Sequence, residues 1–284
     1  MFPIVEARSL ATAVKMFRVL APEIARKRKS GQFITLRIHE EGERIPLTIA
    51  DADPVAGTIT IIFQEVGKST VELGKLKSGG AIADLIGPLG VPTHIEKYGT
   101  VVCIGGGIGI APVYPIAKGM REAGNTILSI IGARTKEMLI LEEEMTRVSD
   151  VFKVTTDDGS YGYHGFVSDV LQNFIDGGTH IDRVVAIGPV PMMRVVCNVT
   201  RNKNIKTIVS LNPIMVDATG MCGACRVSVG GKTRFVCVDG PEFDGHEVNF
   251  AELVKRQRAY LSQEKEALET YHHAQGACMG GKRA

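Results

Sequence analysis

Cys222, Cys225 and Cys237 lie close together near one end of the chain, and Asp217 precedes the first of them by five positions. The resulting pattern, Asp217-x4-Cys222-x2-Cys225-x11-Cys237, matches plant-type [2Fe–2S] spacing with Asp in place of the first Cys. Thiolates are soft donors that suit iron–sulfur chemistry. Gly220, Gly223 and Ala224 are small enough to let a loop wrap an inorganic core. Three thiolates and a carboxylate could equally close around a structural zinc ion, so both metals stay open at this point.

A second group is Gly105-Gly106-Gly107-Ile108-Gly109-Ile110-Ala111-Pro112, set between an apolar run and a helical one. Glycines there allow close backbone approach, and the free N–H groups of the following helix N-terminus suit a pyrophosphate. Gly106, Gly107, Ile108 and Gly109 are therefore candidate dinucleotide contacts, although tight strand-to-helix packing also selects glycine. A dinucleotide crosses the carboxyl ends of several parallel strands, so later strands should end in related motifs. Arg134 follows Gly132-Ala133, Asp157 and Asp158 follow the next strand, and Gly188, Pro189 and Met192 follow the one after. Carboxylates suit a free ribose hydroxyl and repel a 2′-phosphate, which favours NAD over NADP, unless the two Asp residues only form an Asp-Gly turn.

A third group lies nearer the start: Arg44-Ile45-Pro46-Leu47-Thr48, Ile62-Phe63-Gln64, and Val66-Gly67-Lys68-Ser69-Thr70 opening a helix over 70–76. An Arg on a strand can pair a phosphate, and the Gly-Lys-Ser-Thr run offers N–H and hydroxyl donors.

These groups need particular scaffolds. β-type runs at 4–10, 14–20, 33–38, 45–50 and 58–63 predict an antiparallel barrel or sandwich, closed by Gly79-Gly80, Gly87-Pro88-Leu89-Gly90 and Pro92. From residue 100 the rhythm alternates. Strands at 101–104, 126–131, 151–156, 184–187 and 207–211 interleave with helices at 111–122, 141–148, 167–174 and 191–201, which predicts a parallel sheet covered on both faces. A Cys- and Gly-rich segment, one charged helix over 250–269 and a loose tail follow. The expected division is 1–96, 97–212, 213–245 and 246–284. The chain has 284 residues, enough for two modules with an added element.

The 33 Lys and Arg residues nearly balance 31 Asp and Glu, giving no electrostatic reason to expect a nucleic acid or membrane partner. The run Arg26-Lys27-Arg28-Lys29 reads as a solvated loop. Glu6, Arg8 and Lys15 interrupt the opening residues, which lack a secretory pattern, so a cytoplasmic location is expected. Reduced thiols there favour metal ligation over disulfides. Cys103 and Cys197 read as core residues, and Cys278 falls in the tail.

Arg-x-Pro-x-Thr in a small barrel, Gly-Pro-Leu-Gly at the junction, Gly-Gly-Gly-Ile-Gly-x-Ala-Pro and Gly-Pro-x-x-Met-Met resemble the ferredoxin-reductase flavoprotein family over residues 4 to 240. The resemblance implies a FAD-binding antiparallel β-barrel, a Rossmann-like parallel-sheet domain for NAD(H), and hydride movement between nicotinamide C4 and flavin N5. It implies that Arg44, Pro46, Leu47, Thr48, Ile62, Phe63, Gln64, Ser69 and Thr70 hold FAD. No catalytic side chain is expected, because the cofactors supply the reactive atoms.

A flavin–NAD module followed by a small cluster segment resembles electron-transfer subunits of dihydroorotate dehydrogenase, as do Thr156-Asp157-Asp158-Gly159-Ser160-Tyr161-Gly162 and Cys237-x-Asp239-Gly240-Pro241. That group has four Cys ligands. Asp217 in the first place instead resembles the alpha subunits of NADH-dependent reduced ferredoxin:NADP oxidoreductase, also described as sulfide dehydrogenase subunits. This implies FAD, a [2Fe–2S] cluster on Asp217, Cys222, Cys225 and Cys237, and NAD(H). It further implies electron bifurcation with a larger flavin and [4Fe–4S] subunit that handles NADP(H) and ferredoxin. A dihydroorotate dehydrogenase subunit is the same-class alternative, and a zinc-stabilised nucleotide sensor is the alternative of another class.

Overall fold

The computed structural model describes residues 1–280, with side chains described through residue 274. The first unit is built from β1 (Phe2–Ala11), β2 (Val14–Leu20), α1 (Pro22–Lys27), β3 (Phe33–Arg37), β4 (Arg44–Asp53), β5 (Thr58–Gln64), α2 (Lys68–Leu73), β6 (Ala81–Ile82) and β7 (Asp84–Leu89). Its seven strands form one antiparallel sheet in the order β6-β1-β2-β5-β4-β3-β7 that curls into a barrel. Alternation explains its core. Phe17, Val19, Ile59, Ile61 and Phe63 point inward, with Phe17 and Phe63 edge to face at 5.0 Å.

The opposite face of the same strands is buried too. Val14, Met16, Ala50 and Ile62 share a core with Ile110, Val113, Ile116 and Ala117 of the second unit. Apolar residues on both faces of β2 and β5 thus fix the barrel against its neighbour.

That neighbour comprises β8 (Thr100–Gly106), a 3₁₀ turn (Gly107–Gly109), α3 (Ile110–Glu122), β9 (Thr126–Ala133), α4 (Glu142–Arg147), β10 (Val151–Thr156), β11 (Tyr163–His164), α5 (Val167–Asp176), β12 (Arg183–Ile187), α6 (Val190–Arg201) and β13 (Lys206–Ser210). Val101 and Cys103 face α3, while Val102 and Ile104 face α5 and α6. Such two-sided burial is the signature of a parallel sheet. The expected β plus α/β fold is present, and Cys103 and Cys197 are core residues, 0% and 1% exposed.

The remaining elements are β14 (Arg226–Val229), β15 (Lys232–Phe235), α7 (Val236–Asp239), β16 (Glu242–Asp244), α8 (Phe250–Gln257) and α9 (Leu261–Gly280). β16 adds antiparallel to β13, completing the order β11-β10-β9-β8-β12-β13-β16. The Cys-rich segment therefore packs on the nucleotide sheet and shares its core through Ala218, Val227 and Val236.

Three expectations need correction. The single helix over 250–269 is two helices: Arg256 Nη2 donates to Ala224 O at 3.0 Å and Gln257 Nε2 to Asn212 O at 2.9 Å, holding the end of α8 on the Cys-rich segment. The chain then turns and α9 crosses to α2, where Lys75 Nζ sits 4.3 Å above the Tyr271 ring. α9 also runs through 270–280, where a loose tail is expected; residues 281–284 and the side chain of Cys278 lie outside the described residues. Within the basic run, Arg28 is half-buried in the seam between the units, its Nη2 donating to Ile49 O at 3.4 Å, and burial lowers its pKa. Arg26, Lys27 and Lys29 are exposed as expected, but Arg26 and Lys27 are the last residues of α1 and not part of a loop. Among the described residues no helix is long and apolar enough to cross a membrane.

Candidate functional site

The strand order reverses between β8 and β12, where an open parallel sheet leaves a crevice at its carboxyl edge. A cleft of about 1060 Å³ opens there and continues onto the barrel rim. From the barrel it is lined by Pro46, Leu47 and Thr48 of β4, by Ile62, Phe63 and Gln64 of β5, and by Thr70 of α2. From the parallel sheet it is lined by Gly106, Gly107, Ile108 and Gly109, by Arg134 and Asp157, and by Gly188, Pro189 and Met192. Sixteen expected contacts from distant parts of the sequence thus meet in one cavity.

Three expected contacts do not line it. Arg44 Nη2 is bound to Asp84 at 2.5 Å, and Ser69 donates to Glu43. Asp158 accepts from the backbone N–H of Ser160 at 2.9 Å; hydrogen bonding from the Ser160 side chain and then its backbone lowers the Asp158 pKa and fixes it as a turn-former. Arg44 keeps one free donor, since its Nη1 is buried with no hydrogen-bond partner among the described residues. A buried guanidinium donor without an acceptor suits an anionic group such as a diphosphate.

The glycines divide the labour. A Cβ on Gly109 would lie 2.3 Å from Ile187 O, and one on Gly106 would lie 2.3 Å from Met192 Sδ. Gly109 lets the start of α3 approach the end of β12, and Gly106 makes room for Met192 of α6. Gly107 instead has φ +55° with open space where a side chain would be, so its backbone borders the cavity directly.

Several lining residues escaped the motifs. Phe33, Asn212 and Pro213 carry the wall from the barrel toward Pro241, which the sequence offered only as part of a family motif and not as a cleft contact. Phe166 also lines the cleft and is 60% exposed, a flat aromatic surface beside Asp157 and Arg134. An exposed Phe before a helix start was the available signal.

Beyond Pro241 the four expected metal donors form two pairs. Cys222 Sγ lies 3.4 Å from Asp217 Oδ1, and Cys225 Sγ lies 3.3 Å from Cys237 Sγ. The second pair is made by a hairpin: β14 and β15 pair from Arg226↔Phe235 to Val229↔Lys232 across Gly230-Gly231, both at positive φ. Gly-Gly is a preferred two-residue hairpin turn. The eleven-residue spacing is thus the length of this hairpin plus Val236.

The donors fit a two-metal cluster better than one ion. Each iron of a [2Fe–2S] core takes two protein donors and two bridging sulfides, and two pairs are present. A single zinc ion needs about four donors in one shell, yet among the described residues no three His, Cys, Asp or Glu side chains are placed to hold one ion. Burial and the neighbouring Cys225 push the Cys237 thiol up to about 12, so this thiol would ionise where a bound metal offsets its charge. Asp217 Oδ1 also accepts from Thr219 N at 2.9 Å. That bond chiefly holds its carboxyl below the usual carboxylate range, leaving it ionised as a donor.

The comparisons agree with this arrangement. Residues 103–198 match the oxidoreductase NAD-binding domain, and residues 212–249 match the iron–sulfur cluster binding domain of dihydroorotate dehydrogenase B. The chain is 47% identical over 268 residues to a Thermotoga maritima homologue of the dihydroorotate dehydrogenase B (NAD(+)) electron transfer subunit, covering 94% of each protein. It is 31% identical to the Geobacillus thermodenitrificans electron transfer subunit, covering 86% of this chain and 96% of that one. A chain of the NADH-dependent reduced ferredoxin-NADP oxidoreductase, a structure concerned with flavin-based electron bifurcation, superposes with a TM-score of 0.90 at 46% identity, covering 95% of this chain and 98% of that one. Phthalate dioxygenase reductase shares the fold at a TM-score of 0.56 and 16% identity, with 80% and 85% covered. The chain belongs to the family of the dihydroorotate dehydrogenase B electron transfer subunit and its homologues.

Proposed function

We propose that the chain is the NAD(H)-linked electron-transfer subunit of a cytoplasmic oxidoreductase, carrying FAD and a [2Fe–2S] cluster and working with a second subunit. The observation that carries this reading is the single cleft joining barrel rim, Gly-rich turn and Pro241, with paired cluster donors beyond it. Bound FAD would supply the exchange between two-electron and one-electron chemistry, and the cluster a one-electron path. The chain's residues position. Leu47, Ile62 and Phe63 offer an apolar bed for a ring system, and the spare donor of Arg44 suits a diphosphate. Gly107 and the start of α3 suit the dinucleotide pyrophosphate, and Phe166 suits its adenine. No acid or base is needed from the protein.

On this reading residues 1–96 hold FAD, 97–212 NAD(H) and 213–245 the cluster, while the elements of 246–284 brace the last segment. The partner is a larger flavin and [4Fe–4S] subunit handling NADP(H) and ferredoxin. The 46% identity to a chain of the ferredoxin-NADP oxidoreductase and Asp217 beside Cys222 both support that choice. A catalytic dihydroorotate dehydrogenase chain is the alternative, supported by the names of several relatives. Identifying the co-purifying subunit separates them: a dihydroorotate-oxidising chain would replace the first reading with the second.

Asp157 and Asp158 should behave differently. Asp157 lines the cleft, where a 2′-phosphate would meet like charge. Asp157→Asn is expected to narrow the preference for NADH over NADPH by several-fold at low salt, and Asp158→Asn to leave it unchanged. Stopped-flow flavin reduction measures both, and the reverse order would reassign the two carboxylates.

Asp217 should be a cluster ligand. Asp217→Cys is expected to keep a [2Fe–2S] cluster with altered EPR g-values and midpoint potential, because thiolate is the softer donor. Asp217→Ala should lose or destabilise it. Unchanged spectra in both variants would leave Asp217 with only its bond to Thr219 N.

A further inference from the structure

Pro241 faces the cleft, but the next residue, Glu242, turns away from it into the seam between barrel, linker and sheet. Its Oε1 accepts a hydrogen bond from Thr93 Oγ1 in the linker, and Thr93 N donates to Ser30 O at 2.9 Å. Gly31 closes the space: a Cβ there would lie 2.7 Å from Glu242 Oε1. Among the described residues Thr93 is the one hydrogen-bond donor to this carboxylate.

The charged surroundings are asymmetric. Arg183 at the head of β12 is the one cation whose charge acts on Glu242 among the described residues; its guanidinium lies 3.7 Å over the Tyr98 ring, and its Nε is buried without an acceptor among the described residues. The Tyr98 phenol and the Cys103 thiol of β8 are kept protonated, chiefly by burial, with the charge of Glu242 adding to the effect. On the outer side Glu242 borders a polar recess of about 580 Å³. Lys232 and Arg234 of β15 line it, together with Asp239, Asp244 and Glu247. Glu242 thus directly follows a residue of the cofactor cleft, while its own side chain borders a polar recess. Burial outweighs the Thr93 hydrogen bond and the charge of Arg183 and pushes the carboxyl up to about 7, so both protonation states are accessible near neutral pH.

We propose that Glu242 is a redox-linked proton-binding site. Its carboxylate takes one proton from the recess when an electron is added to the cofactors beside it, and returns that proton when the electron leaves for the partner. The proton forms an O–H bond on Glu242, no other bond changes, and the seam keeps its total charge. The electron is the one NADH supplies under the function proposed above, on which this inference rests. Linkage is reciprocal: if added negative charge tightens proton binding at Glu242, the bound proton must favour reduction by the same factor.

An EPR-monitored potentiometric titration of the cluster in the complete cofactor-loaded chain, repeated from about pH 6 to about pH 8.5, tests it. The midpoint potential should fall as pH rises through neutrality and level off above it; in Glu242→Gln it should not vary. A variant with the wild-type slope, or a wild-type potential that ignores pH, would overturn the proposal. Redox-difference infrared spectra of the wild type give a second readout that needs no variant. Reduction should add a protonated-carboxyl band that shifts in D₂O, and its absence would contradict the assignment. A preparation with neither a cluster signal nor an NADH-bleachable flavin would instead contradict the functional reading, and this proposal with it.

Discussion

Cys225→Ala is expected to leave a folded chain that still binds flavin and still has it bleached by NADH, yet shows no reduced-cluster EPR signal and almost no acid-labile sulfide. Cys225 and Cys237 are both 2% exposed and face each other across the base of the β14–β15 hairpin. If the two hold one iron of a cluster, removing one would take away half of its protein donors and leave a single buried thiol to hold it. The cleft residues on β4, β5 and the Gly-rich turn lie outside this change. Cys237→Ala should behave alike, and iron and sulfide assays beside an NADH titration read both. A variant that keeps a full complement of iron and an unchanged signal would mean that the metal site lies elsewhere.

Gly109→Ala is expected to be a strongly damaging single methyl in the nucleotide unit. Gly109 has an ordinary helical backbone, φ −64°, so the cost is spatial: the new Cβ would meet Ile187 O at 2.3 Å and Gly188 Cα at 2.8 Å. Those are backbone atoms of β12 and its exit turn, which cannot rotate away. Overpacking of this kind costs about 1–3 kcal/mol, and the rigid neighbour places Gly109→Ala near the top of that range. In a chain of this size each kcal/mol lowers Tm by roughly 2–4 °C. NADH binding should weaken as well, because Gly188 and Pro189 line the cleft. Gly107→Ala is the comparison, with open space but a left-handed backbone at φ +55°, a cost of about 1–2 kcal/mol. Thermal melts should rank Gly109→Ala below Gly107→Ala, and equal melting points would remove the distinction drawn between the two glycines.

Much of this was legible in the sequence where local chemistry and spacing coincide. The Gly105–Gly109 turn lies between β8 and α3 because an apolar strand, a glycine cluster and a helical run succeed one another there. The alternating strands 14–20 and 58–63 appear as β2 and β5. What alternation did not convey is that their second face is also buried, since Met16 and Ile62 look like ordinary apolar residues until α3 covers them.

Side-chain partners were less legible. Arg44 and Ser69 have the right residue types for an anion site, but Asp84 and Glu43, distant in sequence or easily passed over, claim part of their bonding. Asp158 and Asp157 are adjacent and chemically identical, and only the turn geometry separates a turn-former from a cleft residue. The hairpin behind the Cys225 and Cys237 spacing was readable from Val229-Gly230-Gly231-Lys232. The break after α8 was not, because it depends on Arg256 and Gln257 reaching backbone carbonyls more than thirty residues earlier.

An anaerobic titration of the purified, cofactor-loaded chain with NADH, followed by visible absorption and EPR on the same samples, tests the central claim most directly. The account predicts that NADH bleaches the flavin bands and that a one-electron signal from a reduced [2Fe–2S] cluster appears in the same range of added NADH. A colourless chain binding one zinc ion, or a flavin and cluster that NADH leaves oxidised, would contradict it.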